Sequence, residues 1–158
     1  MSTSKFNLFL ENARLLSEKF GIVPLLYGSL GLEHLTGEAL GADDIDILVP
    51  CVFITERWQE FKVVMEKLGY VLTDAHEHTF VRDGVAYSYA DIEDLESFAG
   101  IRAEDIETRE VNGVRFLLLS LEQYLAVYRR SSMDGYRVNV RQKKDADKIK
   151  FINVKISK

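Results

Sequence analysis

Two turn dipeptides, Asp83-Gly84 and Asn112-Gly113, each stand between runs of strand-forming residues. Such two-residue loops fit the twist of an antiparallel pair, because both positions tolerate positive φ. Residues 80–82 and 85–89 therefore read as one hairpin, and 109–111 with 114–118 as a second. Two hairpins exclude a purely parallel sheet. Helical patterns interleave with these strands. Phe6, Phe9, Leu10, Ala13, Leu16 and Phe20 recur at helical spacing, and Gly21 follows as a stop. Residues 22–27 read as a short strand, Gly28-Ser29 turns into a helix near 30–35, and 36–43 is a loop broken by Gly37 and Gly41. Residues 44–49 read as a strand closed by Pro50. Thr55 is the expected N-cap of a helix over Trp58, Phe61, Val64, Met65 and Leu68. Ser120 and Gln123 have the form of a capping box, opening a helix through Tyr124, Leu125 and Tyr128; a last helix is expected from about 144 to 152. The expected class is α+β, bordering on α/β: a small mixed sheet flanked by helices, in one domain over residues 1–158.

A chain of 158 residues can bury one core. No apolar run is long enough to cross a bilayer, so no membrane partner is expected. Cys51 is the single cysteine, which excludes an intramolecular disulfide and a cysteine-based zinc cluster, and makes the reducing cytoplasm the expected compartment. Net charge is −5, unevenly spread: the helical segment 129–158 carries ten of the 20 Lys and Arg and three acids, so it is +7 against −12 for the rest. That asymmetry suits a phosphate or polyanion near the basic segment, and equally suits a solvated helix that neutralises an acidic body.

Asp44 and Asp46 stand one residue apart at the head of the apolar run Ile45, Ile47, Leu48, Val49. Residues two apart on a strand share a face, so the two carboxylates lie side by side and repel. A hard divalent cation relieves this, and Mg²⁺ commonly takes one or two carboxylates together with substrate phosphates. Gly28-Ser29 lies at a strand-to-helix junction, where free N–H groups and the helix dipole favour a phosphate. A third carboxylate would complete a two-metal site, and Asp91 is the candidate, because Val85, Tyr87, Tyr89 and Asp91 alternate onto one face. The competing readings are strand-end acids that cap loop amides, Asp91 as a helix cap, and Ser29 as an N-cap. His76 and His78 fit a loop, and the tyrosines fit a core. The absence of GxGxxG disfavours dinucleotide binding.

Gly28-Ser29, Asp44-Ile45-Asp46 and Asp91 on a later strand resemble the nucleotidyltransferase superfamily, with its DNA polymerase beta-like fold. The downstream strand "VNGVRFLLLS", the helix "LEQYLAVYRR" and the basic segment holding Arg141 and Lys143 are similar to small bacterial members, the lincosamide nucleotidyltransferase-like and AbiEii toxin-like groups. Lys144 replaces an acid of that pattern, and Tyr128 stands where a lysine is common. The resemblance implies Mg²⁺- or Mn²⁺-dependent transfer of a nucleoside monophosphate from an NTP to an acceptor hydroxyl, with release of pyrophosphate. It assigns Asp44, Asp46 and Asp91 to metal and catalysis, Gly28 and Ser29 to the β and γ phosphates, and Arg141 or Lys143 to the leaving pyrophosphate. The acceptor, whether small molecule, RNA or protein, is left open, and a second copy or partner protein could complete its cleft. The alternative is a non-catalytic nucleotide-binding or regulatory module of the same fold, as in a toxin–antitoxin pair. A DxD glycosyltransferase ranks below both, since Gly28-Ser29 would then have no role.

Overall fold

The computed structural model describes residues 4–132 and 140–157, with side chains for 4–132 and 145–157. Helix α1 (Lys5–Phe20) begins at Ser4, whose hydroxyl accepts from the Asn7 N–H at 3.2 Å, and ends at Gly21 in the left-handed region. There follow β1 (Leu25–Tyr27), α2 (Gly28–Thr36), β2 (Ile45–Val49), a 3-10 turn (Cys51–Ile54), α3 (Trp58–Lys67), β3 (Val71–Asp74), β4 (Thr79–Arg82) and β5 (Val85–Asp91). The rest comprises α4 (Asp94–Ala99), β6 (Glu107–Val111), β7 (Val114–Leu118), α5 (Leu121–Ser132) and α6 (Val140–Ile156). The strands form one sheet in the order β3-β4-β5-β2-β1-β7-β6. β2 pairs parallel with β5 and β1 parallel with β7; the other pairs are antiparallel. The mixed α+β sheet expected from the two hairpins is what forms, and both hairpin turns put Asp83 and Asn112 at positive φ.

Strand alternation divides the core in two. Leu26, Ile45, Ile47, Val49, Tyr87 and Tyr89 face α1 and α3, with Phe9, Leu16, Phe61 and Met65 packed on them. Leu25 and Leu48 face the other side, with Leu95, Tyr124, Leu125 and Ile152 of α4, α5 and α6. Helices thus cover both faces, and burial of these side chains is the main stabilising term.

Four local expectations change. β3 is an edge strand whose mostly exposed side chains gave no alternating pattern. Residues 22–27 shorten to Leu25–Tyr27. Thr55 does not cap α3; its hydroxyl donates to the Cys51 carbonyl at 2.9 Å, which closes the 3-10 turn instead. α6 runs from Val140 to Ile156, well beyond the expected ends, because it packs along α5.

His34 stacks on Phe6, with centroids 4.0 Å apart, and meets the Phe116 ring edge-on. Burial, and then the charge of Arg109, hold its pKa below the ordinary 6.5. The neutral ring is therefore the stabilising form. Its contribution is complete above the unfolded value and is lost as pH falls through the lowered folded one. His34→Phe is expected to flatten part of the fall in melting temperature on acidification below about pH 6.5. His78, also lowered by burial, supplies a residual slope. Thermal melts of the two proteins across that range check this.

Candidate nucleotide-binding site

β1 runs straight into α2 at Gly28, and no side chain caps the first turn of the helix. Gly28 has φ +64°, and a Cβ placed on it would lie 2.5 Å from Oδ2 of Asp46. Only glycine lets the two meet, since the left-handed backbone and the missing side chain are both required. The cause is the strand pairing, which sets Tyr27 opposite Asp46. The Asp46 carboxylate consequently lies against the N-terminal turn of α2, where the helix dipole favours negative charge. Asp44 precedes β2 and is exposed. The Asp46 carboxylate offers hard oxygen donors beside a backbone that a phosphate can approach, and Asp44 stands two residues before it. Asp44 and Asp46 therefore fit a cation such as Mg²⁺.

Tyr124 fixes this junction from below. Its buried hydroxyl donates to the Gly28 carbonyl at 3.0 Å. Gly31, one turn on, has no room for a Cβ because the Tyr124 hydroxyl and the Leu26 carbonyl fill the space. Burial first, then the neighbouring Tyr128, Tyr27 and Asp46, push the Tyr124 phenol well above its usual pKa, so it stays a neutral donor. The capping box places the ring: the Ser120 N–H donates to Gln123 Oε1 at 2.9 Å, and the Gln123 N–H to Ser120 Oγ at 3.1 Å.

α6 contributes Lys148, which the sequence reading did not single out. Its Nζ donates to Ser29 Oγ at 3.1 Å, in the first turn of α2. The ammonium is part-buried, and burial lowers its pKa while Glu33 acts the other way. Glu33 also accepts from the Leu40 and Ala42 N–H groups at 2.8 and 3.2 Å, shaping the loop before Asp44. Lys155 pairs with Glu38 of that loop. Asp145, one turn before Lys148, is 3% exposed, and its Oδ2 has no hydrogen-bond partner among the described residues.

The structure does not bring Asp91 to Asp44 and Asp46. Val85, Tyr87, Tyr89 and Asp91 do alternate along β5, but the register pairs Tyr87 with Ile45, Tyr89 with Ile47 and Asp91 with Val49. Asp46 pairs with Ser88. Register-paired side chains share a face, so Asp91 points to the side opposite Asp46. There its Oδ1 accepts from the Glu93 N–H at 2.8 Å. Asp91, Cys51 and Glu93 set their ligand atoms within 4.8 Å of one another, and no such group among the described residues includes Asp44 or Asp46. The Cys51 thiol is pushed up, chiefly by its hydrogen bond to Asp91. Arg141 and Lys143 lie on α6, but their side chains fall outside the described residues.

No family model matches the chain. It is 40% identical over 148 residues to YnaI, an uncharacterized protein of Bacillus subtilis strain 168, and the match covers 94% of this chain and 95% of YnaI. The chain belongs to the YnaI family. Three solved structures share its fold. The antibiotic-resistance factor ANT(2'')-Ia, in complex with adenylyl-2''-tobramycin, superposes with a TM-score of 0.58 at 12% identity, over 97% of this chain and 90% of that one. The solution structure of the same factor gives 0.54 at 13%, over 98% and 93%. An antigenic nucleotidyltransferase-like protein from Paracoccidioides brasiliensis gives 0.62 at 13%, over 92% and 73%. This YnaI-family chain therefore has the nucleotidyltransferase fold, as the sequence resemblance implied. Among its described residues no helix is long and apolar enough to cross a membrane.

Proposed function

We propose that this chain binds a nucleoside triphosphate together with Mg²⁺ or Mn²⁺, and transfers the nucleoside monophosphate to an acceptor hydroxyl. The contact between Gly28 and Asp46 carries the reading, because it holds a carboxylate beside a side-chain-free helix N-terminus. The fold supports it. Asp44 and Asp46 would hold the cation, which neutralises triphosphate charge when bound. The N–H groups of the first turn of α2 and the Ser29 hydroxyl would hold the β and γ phosphates. The acceptor oxygen attacks the α-phosphorus, the bond from that phosphorus to the bridging oxygen breaks, and pyrophosphate leaves. The hydroxyl proton passes to a carboxylate of the pair or to water. Most of the rate would come from alignment and charge neutralisation. Arg141 and Lys143 remain candidates for the leaving pyrophosphate. The cytoplasm is the proposed compartment, and a second copy or partner protein is proposed for the acceptor side.

A thermal-shift screen of the four NTPs, with and without Mg²⁺, tests this. At a hundred times the dissociation constant, binding stabilises by about 2.7 kcal/mol, a rise in melting temperature of about 5–10 °C. The rise should need the metal and vanish in Asp44→Asn. Pyrophosphate release should fall at least about a hundredfold in Asp46→Asn. No shift with any NTP would sink the reading. A second reading, a nucleotide-binding module without turnover, is favoured by one observation: Asp91 faces away from Asp46. Stabilisation without pyrophosphate release would select it.

A further inference from the structure

We propose that the site works with a single divalent cation, and that the Lys148 ammonium supplies the charge for which a three-carboxylate site would use a second ion. The inference rests on the nucleotide reading above and deepens it. The strand register carries its first part. On the strand next to β2, the residue sharing the face of Asp46 is Ser88, a neutral hydroxyl. That hydroxyl already shares a 2.8 Å hydrogen bond with Thr79 Oγ1 of β4. Among the described residues no third carboxylate joins Asp44 and Asp46, and two carboxylates are a set suited to one hard cation.

The second part is Lys148. α6 brings its ammonium to Ser29, within the first turn of α2. A cation is poorly placed there, because the dipole at a helix N-terminus is positive and burial removes water from the charge. Glu33 offsets some of this, yet its carboxylate is engaged by two backbone amides of the following loop. A phosphate bound over Ser29 would relieve both penalties together. The charges also balance. Removing one carboxylate and one divalent ion takes away a net single positive charge, and one ammonium restores it. Unlike an ion, this charge is covalently fixed and needs no concentration of metal to fill it.

Equilibrium dialysis against Mn²⁺ with the four α,β-methylene nucleoside triphosphates counts the ions held by the complex. One Mn²⁺ per chain is expected, and two would overturn the proposal. Lys148→Ala should weaken analogue binding about ten- to a hundredfold, and Lys148→Arg should recover part of that loss. Thermal melts without nucleotide separate this from misfolding. Adding Ser88→Asp to Lys148→Ala should raise the count to two ions and restore binding. Analogue binding that Asp46→Asn abolishes but Lys148→Ala leaves intact would remove Lys148 and keep the nucleotide site. Failure of the wild-type chain to hold any analogue would remove the nucleotide site, and this inference with it.

Discussion

Tyr124→Ala is expected to lower the unfolding free energy by about 3–5 kcal/mol. The ring is fully buried between the sheet and α5, and stacks on Tyr128 with centroids 6.0 Å apart. Its loss opens a cavity that neither β1 nor α2 can fill without moving. It also removes the hydrogen bond that the Gly28 carbonyl accepts from the Tyr124 hydroxyl. Tyr124→Phe separates the two terms. It keeps the packing, removes one hydrogen bond and should cost about 1 kcal/mol. The phenyl variant also removes the nearest obstacle at Gly31 and leaves the Leu26 carbonyl in the way. Gly31→Ala should accordingly cost less in the Tyr124→Phe background than alone. Urea unfolding of the wild type and the four variants, read at constant m, measures these differences. Equal costs of Gly31→Ala in both backgrounds would mean that the hydroxyl does not set the approach of α2.

Gly28→Ala is expected to do two kinds of damage. The left-handed backbone costs a residue with a Cβ about 1–2 kcal/mol. The new methyl also falls 2.5 Å from Asp46 Oδ2, so that carboxylate must turn away from the helix start. The nucleotide-dependent rise in melting temperature should then disappear, although the sheet still forms. Asp46→Ala added to Gly28→Ala relieves the clash and leaves the backbone strain. The double variant should be more stable than Gly28→Ala and equally blind to nucleotide. A Gly28→Ala chain that kept the full nucleotide response would show that Asp46 takes no part in binding.

Much of this was legible in the sequence, for physical reasons. Asp83-Gly84 and Asn112-Gly113 announce hairpins because few other residues accept the turn's dihedrals. Ser120 and Gln123 announce a helix start because each side chain has a defined backbone partner within three residues. These are local interactions. Asp91 shows where local reasoning stops. Its alternation with Tyr87 and Tyr89 is real, but which face that row takes relative to Asp46 depends on the register between β5 and β2, and a shift of one residue inverts it. β3 was hidden because an exposed edge strand has no apolar face to display. Lys148 meets Ser29 across 119 positions of chain, so no short-range pattern encodes the contact. Its signal was faint: a lysine three residues after Asp145, on a helix where Asp145 and Ile152 are buried. A lysine bordering such a stripe can lay its stem along the buried face and carry its charge to the edge of the facing element.

The order in which these elements leave the ribosome has a consequence for assembly. Every described strand of the sheet precedes Ser120, whereas the ammonium that reaches Ser29 sits on α6. A nascent chain can complete its β-structure, including the bend at Gly28, while that charge is still inside the exit tunnel. The contact between Lys148 and Ser29 therefore forms after the strands that hold the Gly28 bend have been made.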